Sequence, residues 1–185
     1  IDPKTTQQNV QILKAYQAEI EWVSDPDPIT GEFLPARLQR VQSLLNQYKN
    51  SFWPNQYANK NNARAHYETT MPEIMEKLPE LDYLFIGIST CGTIRGCTDY
   101  IKDHELDIKV IAVDGVGSKI TNDSQGTRLL PGLGAGIRPP LYSSNGIFQH
   151  LHVSDSASVI GCHLLVEKEA ILAGGSSGGV ISALG

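Results

Sequence analysis

An apolar run that breaks into small hydroxyl-bearing residues and resumes as a helix leaves a chain few folds. Residues 82–104, DYLFIGISTCGTIRGCTDYIKDH, have that form. Tyr83 to Ile88 predicts a buried parallel strand, and Ser89-Thr90-Cys91-Gly92-Thr93 a tight turn. Ile94, Cys97 and Ile101 then fall on one helical face. Such a turn is an anion-binding device. The first backbone N–H groups of a helix have no partner within it, and the helix dipole favours negative charge at that end. Thr90 and Thr93 add hydroxyl donors. The turn reads as a phosphate cup.

Several occupants compete for this cup. A triphosphate loop needs G-x-x-x-x-G-K-[ST]. Gly87 and Gly92 have the glycine spacing, but Thr93 stands where the lysine belongs, which removes the main charge partner of a triphosphate. A dinucleotide fingerprint needs G-x-G-x-x-G and an acidic residue about twenty positions on. Gly87, Gly92 and Gly96 are spaced otherwise, although Asp114 does end the next apolar run. A cofactor monophosphate, such as that of pyridoxal phosphate, is a third occupant. The fourth reading is a plain strand–helix turn that binds nothing. The turn alone leaves the last three open.

The rest of the chain supplies the α/β context. Residues 1–54 predict helix, strand, helix, strand: a capping box at Thr5 and Gln8, a strand at 18–23, a helix opened by Pro35, and a short strand at 51–53. The polar stretch 55–62 is the candidate domain boundary, which gives domains 1–58 and 59–185. A long helix over 63–78 follows, with Pro72 kinking it or starting a second piece capped by Thr70. Strands are predicted at 107–114, 149–153 and 171–173, with a helix capped by Ser154 between the last two. Residues 115–148 hold seven glycines and three prolines and read as a functional loop. Strands alternating with helices predict an open, mostly parallel α/β sheet with flanking helices. Two strand ends then carry small, hydroxyl-rich turns, at 89–93 and 174–179. In open sheets ligands bind beyond the carboxyl ends of the strands, so both turns are expected on one crevice.

Composition narrows the function. Net charge is −5 with scattered basic residues, which argues against nucleic acid and against an anionic membrane surface. No apolar run is long enough to span a bilayer. Ile1-Asp2-Pro3 has neither the basic region nor the hydrophobic core of a signal peptide. Cys91, Cys97 and Cys162 have no metal-ligand spacing, His150 and His152 lack a third ligand, and no metal is expected. A reducing cytoplasm fits best. With no initiator methionine and an end inside a predicted helix, the sequence reads as a segment of a longer protein.

The chain resembles a family through linked motifs: N-Q-Y-A-N-x-x-N from Asn55, H-Y-E-T-T-M-P-E-I from His66, G-I-S-T-C-G-T-I-R-G from Gly87, L-P-G-L-G-A-G from Leu130 and I-L-A-G-G-S-S-G-G from Ile171. Their order and spacing are similar to those of the cysteine synthase-like, fold-type II pyridoxal-phosphate enzymes. The resemblance implies that Ser89, Thr90, Cys91, Gly92 and Thr93 bind the cofactor phosphate. It implies that Ser176 hydrogen-bonds the pyridine nitrogen and that Gln56 contacts the substrate carboxylate, with Gly132–Gly136 beside the cofactor. A neutral serine at the ring nitrogen leaves it unprotonated, which suits β-elimination. The Schiff-base lysine and the loop gripping the substrate carboxylate are expected upstream of Ile1. No catalytic residue is therefore expected within the chain, which alone should be inactive. A homodimer is also implied.

Departures from the usual pattern point to a branch. Ser89 and Cys91 stand where glycines are usual, and Tyr57 where phenylalanine is common. With Phe33-Leu34-Pro35-Ala36-Arg37, these features resemble the branch that makes N-(2-amino-2-carboxyethyl)-L-glutamate from O-phosphoserine and glutamate, towards 2,3-diaminopropionate and siderophores. Glutamate brings two carboxylates where sulfide brings none, so its site needs added donors. Arg37, Tyr57 and Ser89 are the candidates. Cysteine synthase acting on sulfide, and a non-catalytic scaffold, are the alternatives.

Overall fold

The computed structural model describes residues 1–121 and 126–185. The chain divides into two compact units, Ile1–Pro54 and Asn55–Gly185. The first carries helices α1 (Gln7–Ala15) and α2 (Phe33–Gln47). Thr6 caps α1, accepting from the Asn9 N–H at 3.4 Å, so the cap falls one residue beyond the expected Thr5. α2 begins before Pro35, whose missing N–H costs nothing in a first turn. The strands expected at 18–23 and 51–53 do not form. A strand needs a neighbour along its length. Here the Ile1 amine donates to Glu21 O at 2.8 Å and the Val23 N–H to Ile1 O at 2.9 Å, with no longer ladder among the described residues. Phe52 is 83% exposed, so nothing buries the 51–53 stretch.

The second unit runs α3 (Lys60–Ala65), a π turn (His66–Thr70), α4 (Met71–Lys77), β1 (Tyr83–Gly87), α5 (Gly92–Asp103), β2 (Lys109–Gly115), β3 (Ile147–Val153), α6 (Asp155–Glu169) and α7 (Gly175–Ser182). The long helix expected over 63–78 thus has a π turn in its middle. The Met71 N–H reaches back to His66 O, which inserts one extra residue into the turn. Pro72 sits harmlessly in the first turn of α4, and Thr70 is itself helical and caps nothing.

Three strands form a parallel sheet in the order β1-β2-β3. β2 is buried from Val110 to Gly115, which explains its unbroken apolar run: a middle strand covered on both faces has no polar side. Val110 and Ala112 pack on one face with Ile86, Ile88, Ile94 and Met71; Val113 faces the other way, with Leu133 and Val153. Each fully buried aliphatic side chain contributes about 1.5–3 kcal/mol. Two helix crossings bring backbone against backbone at glycine. A Cβ on Gly96 would lie 2.2 Å from Ala63 O, where α5 crosses α3. A Cβ on Gly178 would lie 2.1 Å from Ser158 O, where α7 crosses α6.

The short buried strand expected at 171–173 is absent. Ala170 ends α6 in the left-handed region and Leu172 is 93% exposed. The glycine-rich stretch that follows is helix rather than turn: Gly174 is the cap of α7, and Ser176 and Ser177 lie in its first turn. The described parts of the expected 115–148 loop hold no regular element between β2 and β3. Residues 122–125 of that loop lie outside the described residues.

Candidate functional site

Because the three strands are parallel, their carboxyl ends share one edge of the sheet. β1 leaves that edge through Ile88, whose N–H donates to Val113 O at 2.9 Å, and enters the cup. Cys91 then takes a left-handed backbone (φ 64°, ψ 14°) as the cap residue of α5. No side chain caps this helix, so its first N–H groups face the turn. Asn62 braces the cup from α3. Its Nδ2 donates to Thr90 Oγ1 at 3.3 Å and to Gln56 O at 2.8 Å. A Cβ on Gly92 would lie 2.0 Å from Asn62 Oδ1, so glycine there is what lets the amide approach.

The segment Leu130–Gly136 closes over the cup. The Gly134 N–H donates to Ile88 O at 2.7 Å, and Ser89 Oγ donates to Gly134 O at 3.0 Å. Arg128 Nη1 donates to Leu130 O and Leu133 O, and the Asp155 carboxylate accepts from the Leu129 and Leu130 N–H groups. Beneath it, Ser118 Oγ accepts from the Ala135 N–H. The segment is therefore fixed at both ends and at its middle.

From the other side comes α7. Gly132 passes close to it, since a Cβ there would lie 4.0 Å from Ser176 Oγ. Thr70, Gly87, Thr93, Gly132, Ser176 and Ser177 border one cleft of about 320 Å³, with β1 at its base. Small-molecule sites span about 300–1,000 Å³, so this cleft is at the small end. A larger cleft of about 500 Å³ lies between α3 and α5. Its arginines are already matched to carboxylates (Arg64 to Glu68, Arg95 to Asp99), and the Tyr67 hydroxyl that lines it donates to Asp103.

The expected site residues separate in this structure. Thr93 and Ser176 share the cleft. Ser89, Thr90 and Cys91 form the cup behind Thr93 and do not border it. The hydroxyl hydrogen of Ser89 is committed to Gly134 O, so its side chain joins the cup to the covering segment. Thr90 Oγ1 accepts from Asn62, and its own hydrogen has no acceptor among the described residues. Burial, with the Asp114 carboxyl nearby, pushes the Cys91 thiol up to about 12, so it is no nucleophile at neutral pH. The side chain of Gln56 is exposed and Tyr57 is half-buried. Arg37 belongs to the first unit, where its Nε lies 3.2 Å from the carboxylate of buried Asp2. His150 meets Tyr142 and His152 meets Thr121, each through Nε2 at 3.1 Å.

Three contributors escaped sequence reasoning: Asn62, His66 and Thr70. The sequence motifs contain all three, but only the folded chain shows that Asn62 reaches Thr90 and that His66 lies between Thr70 and Thr93. Asp114 lies inside β2, fully buried, and accepts from the Gly115 N–H at 2.8 Å. Its Oδ2 is buried without a partner among the described residues, and burial raises its pKa.

The donor set suits a small cofactor with an anionic tail and a ring acceptor. The uncapped N-terminus of α5 and the Thr93 hydroxyl lie on one side of the cleft. Across the cleft, Ser176 Oγ has no partner among the described residues, so its hydrogen is available to an acceptor.

Comparison with known proteins agrees. The chain is 28% identical to a hydrogen sulfide-producing enzyme from Fusobacterium nucleatum, with a TM-score of 0.85, over 99% of this chain and 62% of that one. It is 27% identical to the O-acetylserine-dependent cystathionine beta-synthase of Helicobacter pylori, with a TM-score of 0.83, over 99% and 58%. An O-ureido-L-serine synthase shares the fold, with a TM-score of 0.88 at 19% identity, over 98% and 57%. The chain thus spans about three fifths of the length of these structures. The model of the pyridoxal-phosphate dependent enzyme family matches residues 1–184. By fold, by donor set and by this match, the chain belongs to the pyridoxal-phosphate dependent enzymes.

Proposed function

We propose that the full-length protein carries out β-replacement on an activated serine, taking O-phospho-L-serine and L-glutamate to N-(2-amino-2-carboxyethyl)-L-glutamate and phosphate. The observation that carries the reading is that Thr93 and Ser176, from the first turns of two separate helices, α5 and α7, border one cleft. Pyridoxal phosphate, when bound, supplies the electron sink that lets a serine ester lose its leaving group. The chain's residues do the rest. The α5 N-terminus and Thr93 hold the phosphate. Ser176 donates to the ring nitrogen without protonating it, because a serine hydroxyl is far too weak an acid. The Ser89–Gly134 link keeps the covering segment down, which limits water. Gln56, Tyr57 and Ser89 are the second unit's substrate-contact candidates; in the first unit, the terminal nitrogens of Arg37 have no partner among the described residues and suit a carboxylate.

This reading includes a homodimer in the cytoplasm, with residues 1–58 as part of a smaller domain and 59–185 as the core of a larger, cofactor-binding one. No described helix is long and apolar enough to cross a membrane. One similar enzyme is named for producing hydrogen sulfide, and a sulfide-linked reaction is the rival. Product analysis by mass spectrometry decides: O-phosphoserine with glutamate should give the glutamate adduct, while cysteine from sulfide with no adduct from glutamate would overturn the assignment.

A further inference from the structure

Behind one wall of the cleft His66 joins two residues that border it. Thr70 Oγ1 lies 2.9 Å from His66 Nδ1, and His66 Nε2 lies 3.0 Å from Thr93 Oγ1. Both end residues border the cleft. The π turn sets this up. Thr69, its neighbour, bonds back to Ala65 O at 2.7 Å as a helical threonine commonly does, whereas Thr70 meets the imidazole instead. Gly96 gives the ring its place: a Cβ there would lie 2.8 Å from His66 Cβ.

Proton counting then restricts these three side chains. Burial holds the His66 pKa below its ordinary value, so the ring is mostly neutral at pH 7, with one N–H and one lone pair. In one tautomer Nδ1–H donates to Thr70, and Nε2 must accept the Thr93 hydroxyl hydrogen. Thr93 then offers the cup only lone pairs. In the other, Thr70 donates to Nδ1 and Nε2–H donates to Thr93, which leaves the Thr93 hydrogen free. A phosphate dianion has acceptors alone, so Thr93 can bind it only in the second arrangement.

We infer that His66 is a positioning residue of the anion cup: with its proton on Nε2 and Thr70 bonded to Nδ1, it turns the Thr93 hydroxyl hydrogen toward a bound phosphate. The inference rests on the cofactor reading of the cleft. It makes ring tautomer and phosphate binding one coupled equilibrium, and it gives the π turn a function.

Two-bond proton–nitrogen spectra of the full-length protein, labelled with 15N-histidine, read the tautomer directly. They are recorded without ligand, with inorganic phosphate, and with pyridoxal phosphate. The Nε2–H form of His66 should dominate once pyridoxal phosphate is bound. A His66 that carries its proton on Nδ1 in that complex would overturn the inference. Fluorescence titration with pyridoxal phosphate gives the second readout. His66→Phe, which keeps a ring but no donor, should weaken binding about tenfold, the effect of losing one charge-assisted hydrogen bond. His66→Gln, which places a donor near the Nε2 position, should recover most of that loss. Equal affinity of both variants and the unmodified protein would also overturn it. An unmodified protein that binds no pyridoxal phosphate would instead remove the cofactor reading itself, and this inference with it.

Discussion

Cys91 holds a left-handed backbone, a conformation that costs a residue with a Cβ about 1–2 kcal/mol, and it is 3% exposed. Its place in the turn was legible; its backbone was not, because the usual signal for that conformation is glycine. Its burial makes the side chain a small filler of the turn. Alkylation of the native protein at pH 8, followed by peptide mass spectrometry, should modify half-exposed Cys162 and spare Cys91 and Cys97, whose thiols burial pushes up to about 12 and about 11. The linkage has a sign. An unfolded thiol ionises near 9 while folded Cys91 stays protonated to about 12. The stability from keeping it neutral is therefore complete below pH 9 and is lost as pH rises from 9 towards 12. Asp114 is the second revealing residue. Its Oδ2 has no partner among the described residues, so Asp114→Asn should leave urea stability within about 1 kcal/mol, whereas Asp114→Ala should cost about 1–3 kcal/mol by orphaning the Gly115 N–H.

At the scale of elements, the strand–cup–helix unit was readable because three signals coincide: an apolar run, a hydroxyl-rich break and a helical face. The segments at 18–23 and 171–173 have strand-like composition and yet are irregular, because pairing and burial come from neighbours that the local sequence does not specify. Single-residue changes inside elements can therefore reverse their ordinary sign. Gly96→Ala should stabilise a free helix by about 1 kcal/mol. Here the new methyl meets Ala63 O, so urea unfolding should show a net loss of about 1–3 kcal/mol. Ser89→Ala should release the covering segment rather than the helix. Hydrogen exchange should accelerate at Gly134 and Ala135 with little change in α5. Equal acceleration through α5 would refute the idea that Ser89 acts as a link.

Over the molecule as a whole, the order of motifs carried the family, while the site's division of labour needed coordinates. The sequence grouped Ser89 to Thr93 as one cup, and folding then set Thr93 on the cleft and turned Ser89 toward Gly134. In the full-length enzyme, Arg37→Ala should raise the KM for glutamate about tenfold while kcat changes little, as expected when one charge-assisted contact is lost from binding alone. Steady-state kinetics with unchanged KM would leave Arg37 as the partner of Asp2 only. The most direct test is a crystal structure of the full-length protein with pyridoxal phosphate. Thr93 Oγ1 and the first N–H groups of α5 should lie about 3 Å from the phosphate, with Ser176 Oγ at the same distance from the ring nitrogen. A cofactor whose phosphate lies away from α5, or whose ring nitrogen faces any group but Ser176, would contradict the account.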